Sequence, residues 1–157
     1  MNAGSTLAPD AAMVLALAST AMPFARTPEA EAERWLRVLR LHGEVGIALQ
    51  ALGVSEVPLL APDESADRER TGPAGGGVGD RDAVADIAEH AARIARRRGV
   101  TGVATTDVLI AVMQVYGAEF DRLLRAHGTD REEVLERLGI GGQTLRDLLL
   151  DPISRRA

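Results

Sequence analysis

The stretch Asp82-Ala83-Val84-Ala85-Asp86-Ile87-Ala88-Glu89-His90-Ala91-Ala92-Arg93-Ile94-Ala95-Arg96-Arg97-Arg98-Gly99 decides the fold class. Val84, Ile87, Ala88, Ala91, Ile94 and Ala95 recur at three- and four-residue steps, which places them on one face of a helix. Asp82 opens it, Arg96-Arg97-Arg98 fill its last turn and Gly99 stops it, the charge order a helix dipole favours. The pattern continues downstream. Thr105 or Thr106 is predicted to cap a helix on which Leu109, Val112, Met113 and Tyr116 recur at i, i+3, i+4 and i+7. Phe120, Leu123 and Leu124 follow on a helix ended by Gly128. Thr129-Asp130-Arg131-Glu132 reads as a capping box for a helix carrying Val134, Leu135 and Leu138. Gln143 to Leu150 adds a short amphipathic segment before Pro152.

Upstream, Asp10 precedes a helix with Met13, Val14, Leu15 and Leu17, which Pro23 ends. Thr27-Pro28-Glu29 restarts a helix, with Thr as N-cap, Pro in the first helical position and carboxylates in the first turn. That helix carries Trp35, Leu36, Val38 and Leu39 towards a core. Gly43 breaks it, and Ile47, Leu49 and Leu52 mark a short third helix closed by Gly53. Residues 61–81 are rich in Pro, Gly and charge and read as a flexible linker. The division predicted is therefore a first half over 1–60, the linker 61–81, and a second half over 82–157. Period-2 alternation is not sustained anywhere, so the expectation is an all-α fold without sheets.

The 157 residues are 46% apolar, enough for one compact core. Aromatics make up only 3%, too few for a stacking platform that would bind single-stranded nucleic acid. The net charge of −5 argues against a general polyanion binder. With no cysteine there is no disulfide, thiolate metal site or cysteine nucleophile. All 18 basic residues are arginine, so neither a Schiff-base lysine nor a P-loop lysine exists. The Ala-, Gly- and Arg-rich composition reads as the coding bias of a high-GC bacterial genome. No apolar stretch approaches the roughly 20 residues a membrane span needs. The N-terminus lacks the basic region of a secretory signal, so a soluble, cytoplasmic protein is expected.

Laid over each other, the two halves match in order at three places. Asp10-Ala11-Ala12 pairs with Asp82-Ala83-Val84, and Trp35-Leu36-x-Val38-Leu39 with Leu109-Ile110-x-Val112-Met113. Leu49-Gln50-Ala51-Leu52-Gly53-Val54 pairs with Leu124-Arg125-Ala126-His127-Gly128-Thr129. An internal repeat of about four helices per half is predicted.

Residues 82–139 resemble one repeat of the N-terminal domain of Clp unfoldases, especially of the ClpC and ClpA type. The resemblance is carried by Ala91 to Gly99, Ala104-Thr105-Thr106-Asp107, Val108 to Met113, the stretch 117–128 and Asp130 to Leu138. The first half is similar to the other repeat more loosely, best over Ile47 to Gly53. No AAA+ module follows, so the resemblance implies a stand-alone N-domain, a kind of protein known among actinobacteria. In some family members a Thr-Glu pair in each repeat reads phosphoarginine, with the helix start holding phosphate and the Glu the guanidinium. Here Thr105 is kept, but the Glu position is Thr106 and the His position is Asp107, which argues against phosphoarginine recognition.

The resemblance implies a non-enzymatic binding module whose surface includes Thr105, Thr106 and Asp107, with Glu31 and Glu33 at the pseudo-equivalent position. Its partners would be a Clp ATPase or its client proteins and peptides, which it would serve as an adaptor or regulator. As an alternative it would be a decoy for ligands or antibiotic peptides aimed at the unfoldase. No catalytic residue, metal ligand or cofactor is expected. Glu89 and His90 are adjacent on a helix and face apart; His42 and His127 stand singly near helix ends. The glycine runs at 75–79 and 139–142 lack the strand and lysine of a nucleotide loop. A helix-turn-helix regulator is the lesser alternative, weakened by the acidic stretch Gly117-Ala118-Glu119-Phe120-Asp121 where phosphate contacts would need cations.

Overall fold

The computed structural model describes residues 6–54 and 82–140. The predicted linker 61–81 and the amphipathic segment 143–150 lie outside the described residues. The described chain is mostly helical. In order it comprises β1 (Thr6–Leu7), α1 (Pro9–Ala21), a 3₁₀ turn (Met22–Phe24), α2 (Pro28–Leu39), α3 (Gly43–Ala51), α4 (Ala83–Arg97), β2 (Gly102–Val103), α5 (Thr105–Tyr116), α6 (Ala118–Ala126) and α7 (Arg131–Arg137).

Local chemistry sets most of the helix ends. Thr27 caps α2 by accepting from the Ala30 amide at 3.0 Å, with Pro28 in the first turn. Asp82 caps α4 through the amides of Val84 and Ala85, both at 3.1 Å. The start of α7 lies one residue later than expected: Asp130, not Thr129, is the cap, accepting from the Glu133 amide at 2.8 Å. Thr129 is committed to the helix before it, its amide bonding the Leu124 carbonyl at 3.0 Å. Its hydroxyl donates instead to Glu133 Oε1 at 2.7 Å. Neither Thr105 nor Thr106 caps α5 either. Ala104 holds the cap position, and Asp107 reaches back to accept from its amide at 2.9 Å.

The chain also contains a strand pair that alternation did not reveal, because two residues are too short to show a period. Thr6 and Leu7 run parallel to Gly102 and Val103, and the Ala8 amide extends the ladder to the Val103 carbonyl at 2.9 Å. This small ladder has a large positional effect. Helices α1 and α5 begin immediately after their strands, so their N-termini are held side by side.

One apolar core runs through residues from both sides of the segment 55–81. Helix α5 is its centre, with Val108 to Met113 buried without a break, as expected of a helix surrounded by others. Helix α4 packs along α5, which also contacts α1, α2 and α3. Helix α2 packs on α6, and α3 on α5. Trp35 of α2 is completely buried, and its indole N–H donates to the Tyr116 hydroxyl of α5 at 3.3 Å. Tyr116 donates in turn to Glu31 Oε1 at 2.7 Å.

Helices α3 and α6 are both 9 residues long and end alike. Gly53 and Gly128 turn left-handed at φ 94° and 89°, and the next amides, of Val54 and Thr129, reach back to Leu49 and Leu124 at 3.0 Å. Among the described residues no helix is long and apolar enough to cross a membrane.

Candidate functional site

Three helix starts converge on one face. The strand ladder brings the start of α1, with Asp10 in its first turn, beside the start of α5. Helix α3 is pressed into the same corner by Gly43, whose φ of 67° suits glycine. A Cβ added there would stand 2.7 Å from Thr105 Oγ1 and 3.3 Å from Asp10 Oδ2, so only glycine lets the three elements meet this closely. Thr106 Oγ1 closes the corner by donating to Glu44 Oε2 at 3.2 Å.

Beside this junction lies a depression of about 350 Å³ lined by Asp10, Leu41, Gly43, Glu44, Gly46, Ile47 and Gln50. Leu41 and Ile47 are 53% and 73% exposed, an unusual state for large apolar side chains. Asp10 and Glu44 are exposed carboxylates in the first turns of α1 and α3, where the positive ends of the helix dipoles stabilise them. The depression thus brings together two exposed carboxylates and two exposed apolar side chains, with the buried Thr105 and Thr106 packed behind Gly43 and Glu44.

The residues expected from the sequence are distributed unevenly around it. Thr105 and Thr106 are 3% and 5% exposed and stand at its inner edge. Asp107 is fully buried with both oxygens engaged inside the chain. Arg98 Nε and Nη2 reach its Oδ1 and Oδ2 at 2.8 and 2.9 Å, a two-pronged pairing, and the Ala104 amide is the third donor. Asp107 thereby fastens the end of α4 to the start of α5. Glu31 and Glu33 lie on α2, Glu33 buried and Glu31 bonded to Tyr116. Tyr116 is at the opposite end of α5 from Thr105, about 16 Å along the helix axis, so the structure does not bring these two sets together.

Asp10, Leu41, Glu44 and Ile47 were not singled out as functional by the sequence reading. The signal available was weak: a glycine followed by an acidic residue at Gly43-Glu44, and apolar positions that fit a short helix as core.

Among the described residues no histidine side chain hydrogen-bonds to the residues of this corner. His90 Nδ1 stands 2.8 Å from the Asp86 carbonyl of its own helix. His127, at the end of α6, has its pKa lowered from the ordinary value of 6.5, first by burial and then by the Arg40 guanidinium. Among the described residues no group of three or more potential ligands is placed to hold a metal ion. Compared with known protein families, with curated proteins and with solved structures, the chain finds no match.

Proposed function

We propose that this chain is a non-enzymatic protein- and peptide-binding module of the Clp N-domain type, acting as an adaptor or regulator of a Clp ATPase–protease. The observation that carries the binding role is the depression beside the starts of α1 and α3, where exposed Leu41 and Ile47 stand with Asp10 and Glu44, and the buried Thr105 and Thr106 pack behind Gly43 and Glu44. Exposed large apolar groups next to fixed polar ones are what a peptide segment recognises. In this reading Thr105 and Thr106 sit against the ligand and Asp107 secures the helix start that presents them. Glu31 and Glu33 mark the counterpart position on the other half.

The Clp attribution rests on the sequence resemblance. A duplicated architecture is supported by reciprocal packing, with α2 on α6 and α3 on α5, and by the equal lengths of α2 and α5 at 12 residues. The like-built ends of α3 and α6 point the same way.

The test is a titration of the purified chain against the Clp ATPase encoded in the same genome, read by biolayer interferometry and by the rate of casein degradation. An adaptor binds the ATPase and changes the rate. Binding of casein or of peptides without binding of the ATPase moves the assignment to a decoy. Absence of both removes the proposal.

A further inference from the structure

Between Asp10 in the first turn of α1 and Arg26 beyond its end, the chain carries no charged residue. A helix that is apolar all round is expected to be covered on every side. Helix α5 is of this kind and is the buried centre of the fold. Helix α1 is covered on one side alone: Ala11, Val14, Leu15 and Ala18 are buried, while Met13 is 49% and Leu17 37% exposed. Ala16 and Thr20 are exposed beside them. Phe24, in the turn that follows, is 72% exposed, whereas Trp35, Tyr116 and Phe120 are all buried. Positions 13, 16, 17, 20 and 24 share one helical face, so these side chains form a single strip.

The hydroxyls of α1 are engaged by the helix itself. Ser19 Oγ donates to the Leu15 carbonyl at 3.0 Å and Thr20 Oγ1 to the Leu17 carbonyl at 2.8 Å. The strip therefore meets a partner through aliphatic groups and one aromatic ring, with the small Ala16 at its middle letting a second helix approach. Asp10 and Arg26 are both exposed, and neither has an ion-pair partner among the described residues. An apolar strip with an acid at one end and a base at the other is its own complement when turned through 180°. A lipid surface fits it less well, because the strip lacks the row of cations that holds an amphipathic helix to anionic headgroups.

We infer that two copies of this chain pair through α1, antiparallel about a two-fold axis beside Ala16 and Leu17. Met13 of one copy then faces Thr20 of the other, and Asp10 comes to the end that carries the partner's Phe24 and Arg26. The pairing also sets the positive start of each helix near the negative end of the other. It does not depend on the peptide-binding reading above. Helix α1 has 13 residues, about 20 Å, so the strip covers on the order of 500 Å² per copy, below the roughly 800 Å² of a standard interface. The dimer is accordingly weak and reversible, with a Kd on the order of 10–100 µM.

The experiment is sedimentation equilibrium of the full chain from about 5 µM to about 500 µM. The mean mass rises with concentration from the 16.6 kDa of one chain towards twice that value. Leu17→Arg, at an exposed position, weakens association at least about tenfold and leaves the melting temperature unchanged. Asp10→Arg and Arg26→Asp each weaken it about fivefold by setting like charges together. An equimolar mixture of these two single variants regains the affinity, because every new charge then meets its opposite, and the double variant does the same. A change in helix stability alone does not reproduce that exchange. A one-chain mass at every concentration overturns the proposal, and flotation with phosphatidylglycerol vesicles then decides between lipid and a different protein as the cover. Association that survives Leu17→Arg, or a mixture no tighter than its components, overturns it equally.

Discussion

Replacing Asp107 by alanine removes three hydrogen bonds at once, two from Arg98 and one from the Ala104 amide. Breaking an ion pair buried on both sides costs about 3–5 kcal/mol. Here the Arg98 side chain is 29% exposed and regains some hydration, which brings the loss to about 2–3 kcal/mol. The start of α5 then lacks the acceptor for its cap amide, adding about 1 kcal/mol. The total, about 3–4 kcal/mol, corresponds to a fall in Tm of roughly 10 °C for a chain of this size. The assay is urea and thermal unfolding followed by the fluorescence of Trp35, the only tryptophan and fully buried. A cycle with Arg98→Ala isolates the pair: the double variant loses less than the sum of the singles by at least about 1.5 kcal/mol. A loss below 1 kcal/mol for Asp107→Ala, or strict additivity in the cycle, would refute the reasoning that this carboxylate is the clamp between α4 and α5.

Three further outcomes follow from the packing and the electrostatics. Gly46→Ala gains helix propensity of about 1 kcal/mol but places a Cβ 2.7 Å from the Arg40 carbonyl oxygen, a backbone atom that cannot step aside. A net loss of about 1–2 kcal/mol is expected in the urea midpoint, and a raised midpoint contradicts it. Tyr116→Phe takes away the acceptor of the buried Trp35 N–H and the donor to Glu31. It costs about 1–2 kcal/mol, read as a lower Tm; an unchanged Tm would show that this relay contributes nothing. Because the fold lowers the pKa of His127 below 6.5, the unfolded chain binds that proton more readily. Stability is therefore lost as pH falls through 6.5 towards the folded value, and is fully lost from this group below it. His127→Gln flattens that part of the stability profile between pH 7.5 and 5, and parallel curves for the two proteins would exclude the effect.

Helix ends such as Thr27 with Pro28, Asp82 before α4, and the glycines at 53, 99 and 128 were legible because a cap involves residues no more than five positions apart. The core face of α4 was legible for the same reason, since Ile87, Ala91 and Ile94 recur at the helical period and are buried. Where two local signals competed, proximity in sequence was not enough. Thr129 and Asp130 can each cap α7, and the choice fell to Asp130 because the Thr129 amide was already used by α6.

What the sequence by itself determined is thus the helical character, most boundaries and the inward face of α4, whereas Met13, Leu17 and Ile47, apolar at helical spacing, stand exposed. The tertiary structure alone decided that Asp107 points inward to Arg98, that Glu31 belongs to Tyr116, and that Asp10, Glu44, Thr105 and Thr106 share one corner. That corner depends on Thr6 meeting Gly102, Gly43 meeting Thr105 and Glu44 meeting Thr106. Such pairs lie far apart along the chain, and no short-range propensity encodes them. They form only when the shared core closes and sets the helix starts against one another.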